Sequence, residues 1–162
     1  MTDSMNATNF LLKEDIFIGL NVRNADEVIG QLADHLLRRG KVRPSYRGAV
    51  EQREREMPTG LPLEDGLAVA VPHTDPEHVL LSGAAVATLK EPVTFRSMDD
   101  PDKELPVRLV FMLALHSKEE QLDMLSAIGG LIQDNKTLHS LCEAKDSGQI
   151  YADIDRYLKL GG

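Results

Sequence analysis

Residues 68 to 73 read AVAVPH. Small and β-branched apolar residues in this run suit a strand hidden on both faces, and the proline that follows supplies no ladder donor and helps to end it. His73 therefore falls just beyond a strand, where a reactive side chain meets solvent and a partner. Near neutral pH an imidazole offers an unprotonated ring nitrogen, which acts as a nucleophile or a base. The chain has five histidines, and the others have weaker claims. His35 lies beside Leu36 in a helical stretch, His139 in a leucine-bearing one, and both read as satisfied boundary residues. His73 and His78 are five residues apart with Pro72 and Pro76 among them, which does not match the helical spacing of a two-histidine metal motif. No metal and no cofactor is expected. The chain contains no GxxxxGK[ST] loop, no GxGxxG after a strand and no GxSxG elbow, so nucleotide binding and serine hydrolysis lack their usual signals. On its residues alone, Arg53 in EQRERE reads as a helix-surface ion pair with a neighbouring glutamate.

The elements that must carry His73 can be laid out by periodicity. Phe17 to Val22 suits a first strand, and Asn24 with Glu27 three residues on has capping-box spacing. Val28, Ile29, Leu32, Ala33, Leu36 and Leu37 then recur at helical steps until Gly40. After Pro44 a second helix is expected to run to about Glu56, and Pro58 to Gly66 reads as a loop. Strands are expected at 67–71, from Val79 to Leu89 and from Pro106 to Leu115, with SMDDPDKE as an acidic turn between the last two. Ser117 and Glu120 repeat the capping-box spacing ahead of a helix bearing Leu122, Leu125, Ile128, Leu131 and Ile132. A final helix should carry Ile150, Ile154 and Leu158. Together these imply one domain over residues 1–162: an α/β sandwich with a mixed, mostly parallel sheet and helices on both faces.

Composition removes further classes. A net charge of −8 argues against a nucleic-acid surface, which needs clustered Lys and Arg. The basic run from Arg38 to Arg47 reads as a solvated helix end. The longest apolar run, Leu109 to Leu115, is far shorter than the roughly 18 residues of a membrane span, and MTDSMNATNF lacks the features of a signal peptide. A cytoplasmic protein with protein partners is expected. Cys142, the single cysteine, lies in a helically spaced stretch and reads as core.

Arg53-Glu54, Pro58-Thr59-Gly60, Gly66 and Ala70-Val71-Pro72-His73 together resemble the type-2 enzyme IIA family of the bacterial sugar phosphotransferase system, which includes fructose, mannitol and galactitol components. The PTG turn, the long loop after it and the acidic stretch near Asp99 and Asp100 look most like the galactitol-specific component. The resemblance implies that His73 accepts a phosphoryl group from HPr and passes it to a cysteine of a IIB component, with indirect contact to a membrane IIC component and no membrane insertion of its own. It implies that Arg53 stabilises the phosphoryl group, because a planar guanidinium matches its oxygens. Arg55 is the weaker alternative. Many fructose- and mannitol-type members carry a second histidine where this chain has Glu120; galactitol-type members tend to lack it. Thr59, His78 and His116 remain candidates to support His73, and Glu120 reads as a helix cap. Two other readings stand beside this one: a phosphorylation-dependent regulator resembling nitrogen-related IIA proteins, and a small α/β binding domain without chemistry.

Overall fold

The computed structural model describes residues 10–63 and 66–158. Most of the MTDSMNATNF stretch, and Glu64 and Asp65 of the loop before His73, lie outside the described residues. The described residues form five strands and five α-helices: β1 (Ile16–Leu20), α1 (Ala25–Arg38), α2 (Tyr46–Glu56), β2 (Leu61–Pro62), β3 (Ala68–Ala70), β4 (Gly83–Arg96), β5 (Glu104–Ala114), α3 (Lys118–Ile132), α4 (Asn135–Glu143) and α5 (Ser147–Leu158). The strands make one sheet in the order β1-β4-β5-β3-β2.

That sheet is mixed, as expected. β1 pairs parallel with β4 and β3 parallel with β5, whereas β4–β5 and β2–β3 are antiparallel. Parallel pairing therefore does not dominate by length, because the short acidic turn 97–103 folds β4 and β5 into a long hairpin. Two further differences from the sequence reading concern strands. The loop after Pro58 contains β2, an edge strand too short and too rich in proline to show any alternation. β4 begins four residues later than the apolar run, since Pro76–His78 form a 3-10 turn and the Leu80 and Leu81 N–H groups both bond to the Lys41 carbonyl. It continues past Leu89 because a register irregularity between Thr88 and Val93 accommodates exposed Pro92.

Helices cover both faces, and the pleat assigns side chains between them. Ala68 and Ala70 pack with α1 and α2 residues Val28, Ile29, Leu32, Leu36, Tyr46 and Val50. Val69 and Val71 face the opposite cluster, where Met124, Ile128, Leu131, Leu138, Leu141, Ile150 and Ile154 come from α3, α4 and α5. Cys142 packs against this second cluster, in keeping with a core role. Leu122 departs from the expected apolar face: its side chain is 71% exposed. Ile150 and Ile154 are fully buried, and the side chain of Leu158 lies outside the described residues. Among the described residues no helix is long and apolar enough to cross a membrane.

The cap of α1 acts as read, but the reciprocal bond of the box falls on the N–H one residue ahead of the cap. Asn24 Oδ1 accepts from the Glu27 N–H at 2.9 Å while Glu27 Oε1 accepts from the Arg23 N–H at 2.8 Å. The basic stretch after α1 is divided among acids: Arg39 bonds buried Asp15 at 2.9 Å and Arg47 bonds Asp34 at 3.1 Å. His35 joins the first of these through Nε2, 2.7 Å from Asp15 Oδ1, and so has a structural partner.

Candidate active site

β3 ends at Ala70, and the next three residues are held individually. The Val71 N–H donates to Thr59 Oγ1 at 3.1 Å. Pro72 has no N–H, but its carbonyl accepts from the Leu113 N–H at 3.1 Å, which extends contact with β5 beyond the last ladder pair. Tyr46 Oη donates to the Leu113 carbonyl at 2.6 Å, so the start of α2 is fixed to the same point. His73 follows, partly buried.

His73 Nδ1 lies 2.8 Å from the Val71 carbonyl oxygen. A carbonyl only accepts, so Nδ1 carries the proton and, in the neutral ring, Nε2 holds the free lone pair. Burial pushes the basicity of His73 below the ordinary histidine value, and the charges of Arg53 and Lys118 add to this, against the opposing Val71 bond and Asp75 charge. The ring is therefore neutral near pH 7. An imidazole held this way presents a free nitrogen lone pair, which can attack an electrophile without a base.

Thr59 lies behind the His73 segment. It is buried, its hydroxyl donates to Glu54 Oε1 at 2.9 Å, and its N–H donates to Glu54 Oε2 at 2.8 Å. A chain of contacts thus runs from Glu54 on α2 through Thr59 to Val71, two residues before His73. Burial pushes the Glu54 carboxyl above its usual range, and the Thr59 bonds partly offset it. Gly60 closes the turn against β4: a Cβ there would meet the Arg96 carbonyl oxygen at 2.5 Å, so the close backbone approach requires glycine.

Arg53, in the last turn of α2, reaches the His73 segment. Its Nη1 bonds Asp75 Oδ1 at 3.1 Å. Lys118, the first residue of α3, places Nζ 3.2 Å from the same oxygen. Both cations hold the Asp75 carboxyl below its usual range, Lys118 most strongly. Arg53, Thr74, Asp75, His78 and Met57 line a cleft of about 290 Å³. Arg55, two residues on from Arg53, is exposed and lines a different cleft with Ala25 and Phe95, because neighbouring helical positions face apart.

The remaining candidates sit differently. His78 shares the cleft wall, with Nδ1 2.8 Å from Ser45 Oγ at the start of α2. His116 is exposed at the end of β5, and its N–H donates to Ser82 Oγ at 3.0 Å and Glu120 Oε1 at 3.1 Å. Glu120 also accepts from the Ser82 hydroxyl, and its N–H donates to the Ser117 cap at 3.1 Å. The carboxylate thus reaches back over the helix start as a cap does, although to the N–H one residue ahead of the capping residue. The sequence reading missed Asp75, Lys118 and Gln121. The only sequence signal for Asp75 was its place two residues after His73.

The profile of the family described as "Phosphoenolpyruvate-dependent sugar phosphotransferase system, EIIA 2" matches residues 9–157. The galactitol-specific EIIA component of Escherichia coli K12 is 29% identical over 123 residues, covering 76% of this chain and 81% of that protein. The mannitol-specific EIICBA component of Pasteurella multocida is 31% identical over 149 residues, 90% of this chain but 23% of that longer protein. Among solved structures, the IIA chain in the complex of mannitol IIA with phosphorylated IIB from Escherichia coli superposes with a TM-score of 0.70 at 23% identity, covering 88% of this chain and 95% of that one. At that identity the match speaks for the fold. With the profile spanning nearly all of the sequence, the chain belongs to the type-2 EIIA family of the phosphoenolpyruvate-dependent sugar phosphotransferase system and is a phosphoryl-relay component of it.

Proposed function

We propose that His73 is the phosphoryl-carrying residue, that the group is bonded to Nε2, and that Arg53 stabilises it. The observation that carries this reading is the Nδ1 bond to the Val71 carbonyl, which fixes the tautomer and leaves Nε2 as the nucleophile. Arg53, tied to Asp75, which lies two residues after His73, supplies positive charge where the transferred group spreads negative charge over its oxygens. Thr59 positions the His73 segment through Val71, and His78 forms part of the cleft wall.

The donor in this reading is HPr, as the resemblance to the family implies, and the recipient is a IIB component, by analogy with the mannitol IIA–IIB complex. The sugar is galactitol or a related polyol, by similarity to the galactitol-specific component. The protein acts in the cytoplasm as one domain over residues 1–162, meeting a membrane IIC component only through IIB. A regulatory role would use the same phosphorylated histidine with a different recipient, so transfer to IIB distinguishes the two.

The test is intact-mass measurement after incubation with phosphoenolpyruvate, the general phosphotransferase enzyme and HPr. Wild type should gain one phosphoryl group and His73→Ala none. Undiminished uptake by His73→Ala would overturn the assignment.

A further inference from the structure

We propose that Lys118 is a second cationic ligand of the transferred phosphoryl group, and that Asp75 is the resting counter-ion which that group displaces. The inference deepens the reading of His73 as acceptor and rests on it.

The geometry begins with Gln121. This buried residue of α3 donates from Nε2 to the Thr74 carbonyl at 2.9 Å, which pins the helix to the peptide between His73 and Asp75. Lys118 lies three residues earlier on the same helical face and is therefore directed at the same segment. Its Nζ and Arg53 Nη1 converge on one oxygen, Asp75 Oδ1, from two different helices. Such a pairing contributes little to the fold, since the Lys118 side chain is 67% exposed and the Asp75 side chain 48% exposed. Two cations held around an anionic oxygen are, however, the arrangement a phosphoryl oxygen needs. Both also act on His73 electrostatically, so the ring lies within their field.

In the transfer step the Nε2 lone pair forms a P–N bond as the P–N bond of a phosphohistidine donor breaks. The electron pair returns to the donor's imidazole nitrogen, and Nδ1 keeps its proton on the Val71 carbonyl. Arg53 and Lys118 exchange the Asp75 carboxylate for phosphoryl oxygens, and the carboxylate, repelled by the incoming dianion, turns to solvent. Glu120 cannot supply this charge, being anionic and bonded to Ser82 and the His116 N–H. Lys118 supplies it from the preceding residues of the same helix start.

The test compares wild type, Lys118→Gln and Lys118→Arg in single-turnover transfer from phosphorylated HPr, and follows the phosphoryl group of each isolated phosphoprotein by 31P NMR across pH. Lys118→Gln should slow transfer by about threefold to thirtyfold, and Lys118→Arg should recover most of the loss. The phosphoryl titration of Lys118→Gln should move to higher pH and that of Lys118→Arg should stay near wild type, with no partner present to confuse the reading. A Lys118→Gln rate within twofold of wild type, or an unmoved phosphoryl titration, would overturn the proposal. His73→Ala is measured in parallel: uptake there would overturn the acceptor assignment itself, whereas a blank His73→Ala with an unchanged Lys118→Gln overturns the Lys118 role alone.

Discussion

Replacing Thr59 by valine tests whether the path from Glu54 to His73 is held by hydrogen bonds. Valine keeps the shape and removes only the hydroxyl, which in the wild type donates to Glu54 and accepts from the Val71 N–H. Thr59 is 3% exposed, so water cannot take its place. An unpaired buried N–H costs about 1 to 3 kcal/mol, and a bond lost by a carboxylate is worth about 1.5 to 3 kcal/mol. The two are not additive, because Glu54 retains the Thr59 N–H and the loop can relax. Thr59→Val should therefore lose about 2 to 4 kcal/mol in urea unfolding, with the denaturant slope unchanged. Thr59→Ser keeps the hydroxyl and loses one methyl, so it should lose about 1 kcal/mol or less. The same lesion frees the Val71 peptide, whose carbonyl orients His73, so phosphorylation of Thr59→Val should slow while that of Thr59→Ser should not. A Thr59→Val stability within about 0.5 kcal/mol of wild type would show that the hydroxyl does not satisfy Val71, and the reasoning would fail.

Other expectations follow from the same contacts. The His73 ring, followed by NMR, should titrate below the ordinary histidine value of 6.5. Since the unfolded chain then binds the proton more readily, wild type should lose stability relative to His73→Ala as pH falls through that region. Arg53→Lys keeps charge but loses the planar fork, so transfer should slow by roughly tenfold or more, with urea unfolding little changed. For Glu54, whose folded carboxyl is raised by burial, the native state binds more protons above the unfolded value of 4.5, so wild type should lose stability relative to Glu54→Gln as pH rises above it. Glu120→Gln should leave transfer within about threefold and cost about 1 kcal/mol or less, since an amide oxygen can still accept over the helix start; a hundredfold slowing with unfolding unaffected would place the carboxylate in the site.

What the sequence made legible is what local rules determine. Asn24 with Glu27, and Ser117 with Glu120, sit three residues apart, so their helix starts are written in one turn of chain. The buried strand at 68–70 and the proline after it announce His73 directly. The sheet order is not local: β3 pairs with β5 and β4 with β1, and only that topology brings α3 to the end of β3. Lys118 and Asp75 meet across 43 positions of sequence, so no spacing rule joins them. β2 escaped because a two-residue strand has no period, and Leu122 was misread because helical spacing alone does not say how wide a face is covered. Arg53 was separable from Arg55 only by the family resemblance; in the fold the two line different clefts, a separation that depends on what packs around α2.

The proposed phosphoryl relay turns on a single atom, Nε2 of His73. Long-range proton–nitrogen correlation of the uniformly 15N-labelled protein, recorded before and after phosphorylation by phosphorylated HPr, reads that atom directly. Before transfer, His73 should show a protonated Nδ1 and an unprotonated Nε2. After transfer, the phosphoryl coupling and the shift change should appear at Nε2 of His73, with the other four histidines unmoved. Phosphorylation at Nδ1, or on any other histidine, would contradict it.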